Sequence, residues 1–176
     1  MGSIRVRGMT LLELLIVLVI AGLLLGLGLP SLDRTIQEAR MTAATNRLVS
    51  SLHFARDASI RLGVPVTLCP TIDGLSCERN TQAWSEGWLI YRHQHGGSGN
   101  RLRDPDQILR VIPGSAPGLQ ANRQAFTLRT DGRRSTNGTL LMCRRGETTA
   151  DRAVIINVMG RVRSTRDPDR MPSPEC

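Results

Sequence analysis

Lysine is absent: all 23 positions counted as Lys or Arg hold arginine. A G+C-rich coding bias produces that pattern, so abundant arginine is not by itself a sign of phosphate recognition. The net charge of +8 still favours an anionic partner, because field strength and counterion release both scale with charge. Aromatic residues make up only 3% of the chain, which argues against single-strand recognition by base stacking. No Cys-x-x-Cys pair occurs, and with it goes the usual paired spacing of zinc ligands. No lysine follows the Gly96–Asn100 run, which also lacks the strand before and helix after that a phosphate loop needs. His93 and His95 form a His-x-His pair without a suitable third ligand nearby in sequence, and His53 lies apart on a helix. Asp73, Glu78, Asp104 and Asp106 sit in Pro/Gly-rich loops, where carboxylates serve turns. No nucleophile, base and orienter assemble, so the residues point to no enzyme, no metal and no cofactor.

What the chain has in plenty is an apolar run near its start. Arg5 and Arg7 lead to Gly8, and Leu11 to Leu29 then runs almost unbroken except for Glu13. About 20 apolar residues in a helix span a hydrocarbon core of roughly 30 Å. The basic flank lies on the N-terminal side, which predicts that this end stays cytoplasmic and the rest is exported. A lone acid in such a span costs about 2.5–3.5 kcal/mol on insertion scales and marks a functional residue with a partner. A signal-peptide cut near Ala21-Gly22 would leave Leu23–Leu29 exposed without purpose.

Gly8 followed by Met9-Thr10-Leu11-Leu12-Glu13 resembles the leader of type IV pilins and pseudopilins. The resemblance implies cleavage after Gly8 by a prepilin peptidase and methylation of the new N-terminus on Met9. Met9 stands where that family usually has Phe, and Pro30 falls where many pilins also carry a proline. Glu13 of one subunit would then neutralise the Met9 amine of the next during filament assembly, a pairing that sets register more than it adds stability. Storage in the inner membrane, followed by extraction into a pilus beside other pilins, is the implied life cycle.

Beyond Pro30 the helical pattern continues. Met41, Ala44, Leu48, Leu52, Ala55, Ser59 and Leu62 recur at spacings of three and four, one apolar stripe that needs a partner sheet. Gly63 and Pro65 predict the stop. Short strands are expected at Val64–Leu68, Gly87–Tyr91, Ile108–Ile112, Ala125–Arg129, Thr139–Cys143, Ala153–Val158 and Arg161–Ser164, with Met159-Gly160 as the tight turn of a last hairpin. The predicted class is α+β: a long N-terminal helix on an antiparallel β-sheet or small β-sandwich. The expected division is a leader at 1–8, a transmembrane half-helix at 9–30, an amphipathic half at 31–62 and a β-rich domain at 63–176. Four cysteines in an exported chain point to disulfides. Of the three connectivities, Cys69–Cys77 and Cys143–Cys176 are the expected pairs.

The stretch Val66-Thr67-Leu68-Cys69-Pro70, the short loop to Cys77 and then Trp84-Ser85-Glu86-Gly87-Trp88 are similar to the GspH/FimT group of pilin-like proteins, with both Trp expected in the core. One branch of that group caps type II secretion pseudopili. The other belongs to type IV pili, and some of its members bind DNA during natural transformation. Between Arg129 and Arg170, ten arginines stand against five carboxylates. On a strand, Arg161 and Arg163 leave one face together, and Gly160-Arg161-Val162-Arg163 looks like the Gly-Arg-x-Arg motif of the DNA-binding members. The resemblance implies double-stranded DNA as a partner for Arg161 and Arg163 beside Gly160. Arg166 and the pairs Arg133-Arg134 and Arg144-Arg145 would extend the patch. A solvated charged face is the open alternative, as are a structural or initiating minor pilin and a secretion pseudopilin.

Overall fold

The computed structural model describes residues 8–94, 102, 104–114, 118–129, 134–144, 146–167, 170–171 and 175–176, with the backbone alone described at 24–34 and 106. Helix α1, Leu11–Leu62, passes through Pro30. It starts where Thr10 accepts the Glu13 N–H on its hydroxyl oxygen at 3.3 Å. Thr10 and Glu13 thus stand at capping-box spacing, with the acid in the first turn where the helix dipole favours it. The helix ends at Gly63, whose φ of +65° suits a residue without Cβ and whose N–H bonds the Ser59 carbonyl at 3.1 Å. Among the described residues no helix is long and apolar enough to cross a membrane. Within the Leu11–Leu29 run the described side chains end at Leu23, and those of the leucines, isoleucines and valines among them are exposed.

The chain divides into two compact units, Met1–Arg40 and Met41–Cys176. In the second, α1 contributes Met41, Ala44, Leu48, Leu52, Ala55 and Ala58 to the main core. Ser59 is buried as well, its hydroxyl within reach of the Val64 and Leu128 carbonyl oxygens at 2.9 and 3.2 Å. Leu62, expected on the same stripe, is instead 41% exposed. Leu62 is the last residue of the helix.

Two antiparallel sheets complete this unit. Strands β1 (Val66–Pro70), β2 (Gly87–Arg92), β3 (Ile108–Pro113) and β5 (Phe126–Leu128) lie in the order β3-β2-β1-β5. Strands β4 (Leu119–Ala121), β6 (Gly138–Cys143), β7 (Ala150–Ile156) and β8 (Val162–Thr165) lie in the order β4-β6-β7-β8. All seven expected strands are present within a few residues, and β4 is the one the pattern did not show. Both sheets send side chains into the core shared with α1, among them Leu68, Trp88, Phe126, Leu140 and Val154, and Trp84 joins them from a short 3-10 helix at Ala83–Ser85. The Trp84 indole N–H reaches the Arg123 carbonyl at 3.2 Å, whereas that of Trp88 finds no partner among the described residues. The expected disulfides Cys69–Cys77 and Cys143–Cys176 both form. The first closes a loop in which Asp73 accepts N–H bonds from Leu75 and Ser76, each at 2.8 Å. These donors hold the Asp73 carboxyl well below the usual carboxylate range.

A polar group is buried on the first sheet. Thr67 Oγ1 lies 2.8 Å from both His93 Nε2 and Thr127 Oγ1, and the His93 ring stacks on Tyr91 at 5.4 Å. Burial, and secondarily the charge of Arg129, push the His93 pKa below its ordinary 6.5. Between the lowered folded value and 6.5, the unfolded chain takes up a proton that the folded chain refuses. Stability is therefore full above pH 6.5 and falls as the solution is acidified through that window. The melting temperature should drop between pH 7 and pH 5.5. In His93→Gln that drop should shrink; an identical acid profile in the variant would assign the effect to other groups.

Candidate functional site

The β7–β8 hairpin carries the arginines singled out by sequence. Ile156 pairs with Val162 and Ile155 with Arg163. Ile156 and Val162 face the main core, so the alternating positions Arg161 and Arg163 point to the opposite face, and both are exposed. Among the described residues no carboxylate forms an ion pair with either. The turn between the strands is built by Asn157, whose side-chain oxygen accepts N–H bonds from Met159 at 3.0 Å and Arg161 at 2.9 Å. Gly160 closes it with a φ of +69°, a left-handed conformation that costs other residues about 1–2 kcal/mol.

The turn is anchored from behind. The Ser135 N–H donates to the Val158 carbonyl at 3.0 Å, and the Ser135 hydroxyl oxygen accepts the Arg129 N–H at 3.1 Å. This tie brings exposed Arg134 beside the turn. A Cβ added at Gly160 would lie 3.2 Å from Ser135 Oγ and 3.6 Å from Arg56 Nη1, so a guanidinium from α1 also backs the turn. The pattern of α1 places Arg56 off the apolar stripe and gives it no role. Its position directly after core residue Ala55 was the available signal, because a long side chain flanking a buried stripe can wrap around it.

Other expected members lie elsewhere. Arg144 is at the far end of the second sheet, separated from the turn by the seven residues of β7, roughly 20 Å at strand rise. Its Nη2 pairs with Asp151 Oδ1 at 2.8 Å. Arg166 follows the end of β8 and lines a separate cleft with Arg152, and Arg170 pairs with Asp167 at 3.0 Å. Arg133 and Arg145 lie outside the described residues, as do the Gly96–Asn100 run, His95 and most of the leader. Gly8 and Met9 precede α1. Among the described residues no group of three or more metal-ligating side chains converges.

What remains at the turn is Arg161 and Arg163 on one face, with Arg134 and Arg56 beside and behind them. Such an array can fork onto the oxygens of an extended polyanion.

No curated protein sequence matches the chain. Its fold is similar to that of the type IV minor pilin FimU of Pseudomonas aeruginosa in two crystal forms. One has a TM-score of 0.55 at 20% identity, covering 78% of this chain and 96% of FimU. The other has a TM-score of 0.52 at 20% identity, covering 76% and 98%. The model of the prokaryotic N-terminal methylation motif matches residues 4–29. The model described as type II transport protein GspH matches residues 44–160, more than half of the chain. The chain therefore belongs to the GspH family, as a type IV pilin-like protein whose helix and two sheets form a pilin fold.

Proposed function

We propose that this pilin-like protein is a FimT-type minor pilin that binds double-stranded DNA without sequence preference for uptake in natural transformation. The observation that carries the reading is the anchored β7–β8 hairpin, with Arg161 and Arg163 exposed on one face and no described carboxylate paired to them. Phosphate contacts of this kind supply position and affinity but no sequence information. Non-specific binding by one domain is typically weak, about 10⁻⁴–10⁻⁶ M at physiological salt, so several subunits in a filament would act together. No catalytic step belongs to this reading.

Assembly follows from the N-terminal motif. A prepilin peptidase cuts after Gly8 and Met9 is methylated. The apolar stretch of 9–30 then holds the subunit in the inner membrane as a single pass, with the domain in the periplasm, until it enters the pilus. Glu13 meets the Met9 amine of a neighbouring pilin there. Breaking such a buried pair from one side costs about 3–5 kcal/mol. Glu13→Ala should therefore stay at wild-type level in the membrane fraction while its share in sheared pili falls at least tenfold by immunoblot. Equal incorporation would remove Glu13 from assembly.

The DNA reading is tested with the full chain in non-ionic detergent and a labelled duplex, followed by fluorescence anisotropy at about 50 and 200 mM salt, a range over which phosphate contacts weaken strongly. Binding at low salt that fades at high salt is expected. Absence of binding at 50 mM would favour the second reading, a GspH-type pseudopilin of type II secretion or a structural minor pilin. The family match and the likeness to FimU support that reading equally well.

A further inference from the structure

The apex of the β7–β8 hairpin presents carbon rather than polar atoms. The Asn157 N–H donates to the Arg161 carbonyl at 3.1 Å and the Gly160 N–H to the Asn157 carbonyl at 2.9 Å. With Gly160 left-handed, these bonds define a three-residue loop, Val158-Met159-Gly160, whose first two residues are its corners. The N–H groups of Met159 and Arg161 are taken by the Asn157 side-chain oxygen, and the Val158 carbonyl by the Ser135 N–H. No N–H from Met159 to Arg161 is therefore left to hold an anion as a backbone nest would. What the apex offers is side chains: Val158 is 38% exposed and Met159 68%. Arg161 follows directly and Arg163 lies two residues on, both exposed as well. The turn itself is made by Asn157 and Gly160, so its hydrogen bonds do not call for apolar corners.

The sheet itself cannot enter a duplex groove. Strand β7 is an inner strand of four, a width of roughly 14 Å at strand spacing, against about 12 Å for the major groove. Only side chains at its tip reach the duplex. Along each nucleic-acid strand the sugars lie between phosphates and bases, so an apolar residue beside a phosphate-bound arginine meets sugar carbons. We infer that Val158 and Met159 rest on the deoxyribose faces of the duplex and thereby select DNA over RNA. The inference rests on the reading of the hairpin as the duplex contact, and it assigns specificity to residues that carry no charge. In RNA each sugar bears a 2′-hydroxyl, and covering it with methyl and thioether groups strips its water without returning a good hydrogen bond. The arginines do not discriminate in this way, because both polymers carry the same phosphates. A lipid surface fits the tip less well: Val158 and Met159 together have fewer side-chain carbons than a single myristoyl chain, whose membrane binding is already marginal.

The test uses the full chain in non-ionic detergent with labelled DNA and RNA duplexes of one sequence, compared by fluorescence anisotropy at about 50 mM salt. DNA should bind about fivefold or more tightly than RNA. In Met159→Gln combined with Val158→Thr the DNA affinity should fall severalfold and the preference should all but vanish, because a polar tip also serves the 2′-hydroxyl. Arg161→Ala should weaken both duplexes to a similar extent and keep the preference. Equal binding of both duplexes by the wild-type chain, or a preference unchanged in the tip variant, would overturn the inference and leave the hairpin reading standing. Binding of neither duplex would overturn both. In a second arm the methionines carry ¹³C-labelled methyl groups. The Met159 methyl resonance should shift on adding DNA while those of the buried Met142 and Met171 hold still. A Met159 methyl that ignores the duplex and moves when phosphatidylglycerol is mixed into the micelles would make the tip a lipid contact and overturn the assignment.

Discussion

Arg161→Ala combined with Arg163→Ala should flatten the salt dependence of duplex binding by about 1.8 in log–log slope, at about 0.9 for each phosphate no longer neutralised. Affinity at about 50 mM salt should fall by one to two orders of magnitude. The expectation rests on geometry as much as charge. Both side chains leave the same exposed face of the hairpin, one in the turn closed by Gly160 and the other across from Ile155. A cation already paired would gain less from a phosphate, because it must first give up its carboxylate; Arg144 on Asp151 is such a case. Arg110→Ala, at a site engaged with Phe54, should leave the slope unchanged. Arg134→Ala and Arg56→Ala should each reduce it by less than one unit. Exposed substitutions of this kind move stability by only about 0.5 kcal/mol either way, and circular dichroism checks that the fold persists. A double variant with the wild-type slope would return the hairpin to ordinary solvated surface.

The second large effect is on stability. Leu52→Ala should cost about 2–5 kcal/mol, the range for emptying a fully buried leucine site. Leu52 is 0% exposed and belongs to the core that joins α1 to both sheets, so few neighbours can relax into the gap without breaking strand pairing. Domains of this size carry about 5–15 kcal/mol in total, and the melting temperature should fall by on the order of 10 °C. Leu62→Ala is the matched comparison. The same chemical change at a site 41% exposed should cost much less, about 1 kcal/mol or under. Urea denaturation with the disulfides kept oxidised measures both. Equal losses at the two positions would mean that α1 is not seated on the sheets through Leu52.

Local pattern was enough to read most of the elements. The spacing from Met41 to Ser59 has only one physical solution, a helix with a single buried stripe, and Gly63 ends it because a left-handed residue satisfies the last carbonyls. Alternating apolar residues between glycine-marked turns located seven strands. Strand β4 escaped because Leu119–Ala121 is too short to show a period. It exists because β6 offers an edge and Gly118 fits against the Cys143 carbonyl, where a Cβ would clash. The β-bulge at Asp151, where pairing steps from Met142↔Arg152 to Cys143↔Ala150, was equally invisible, since a bulge is a relation between two strands.

By itself the sequence determined the N-terminal motif, the α+β class, the helix stripe and the common face of Arg161 and Arg163. All of these are properties of spacing along one chain or of counts. Tertiary structure alone decided which arginines are neighbours. It drew Arg56 and Arg134 to the hairpin turn, moved Arg144 to the other end of the sheet and gave it to Asp151, and turned Arg152 inward to wall a cleft. The reason is that electrostatics acts through distances of a few ångströms. Those distances are set by strand order and register, which no periodicity within a single segment contains.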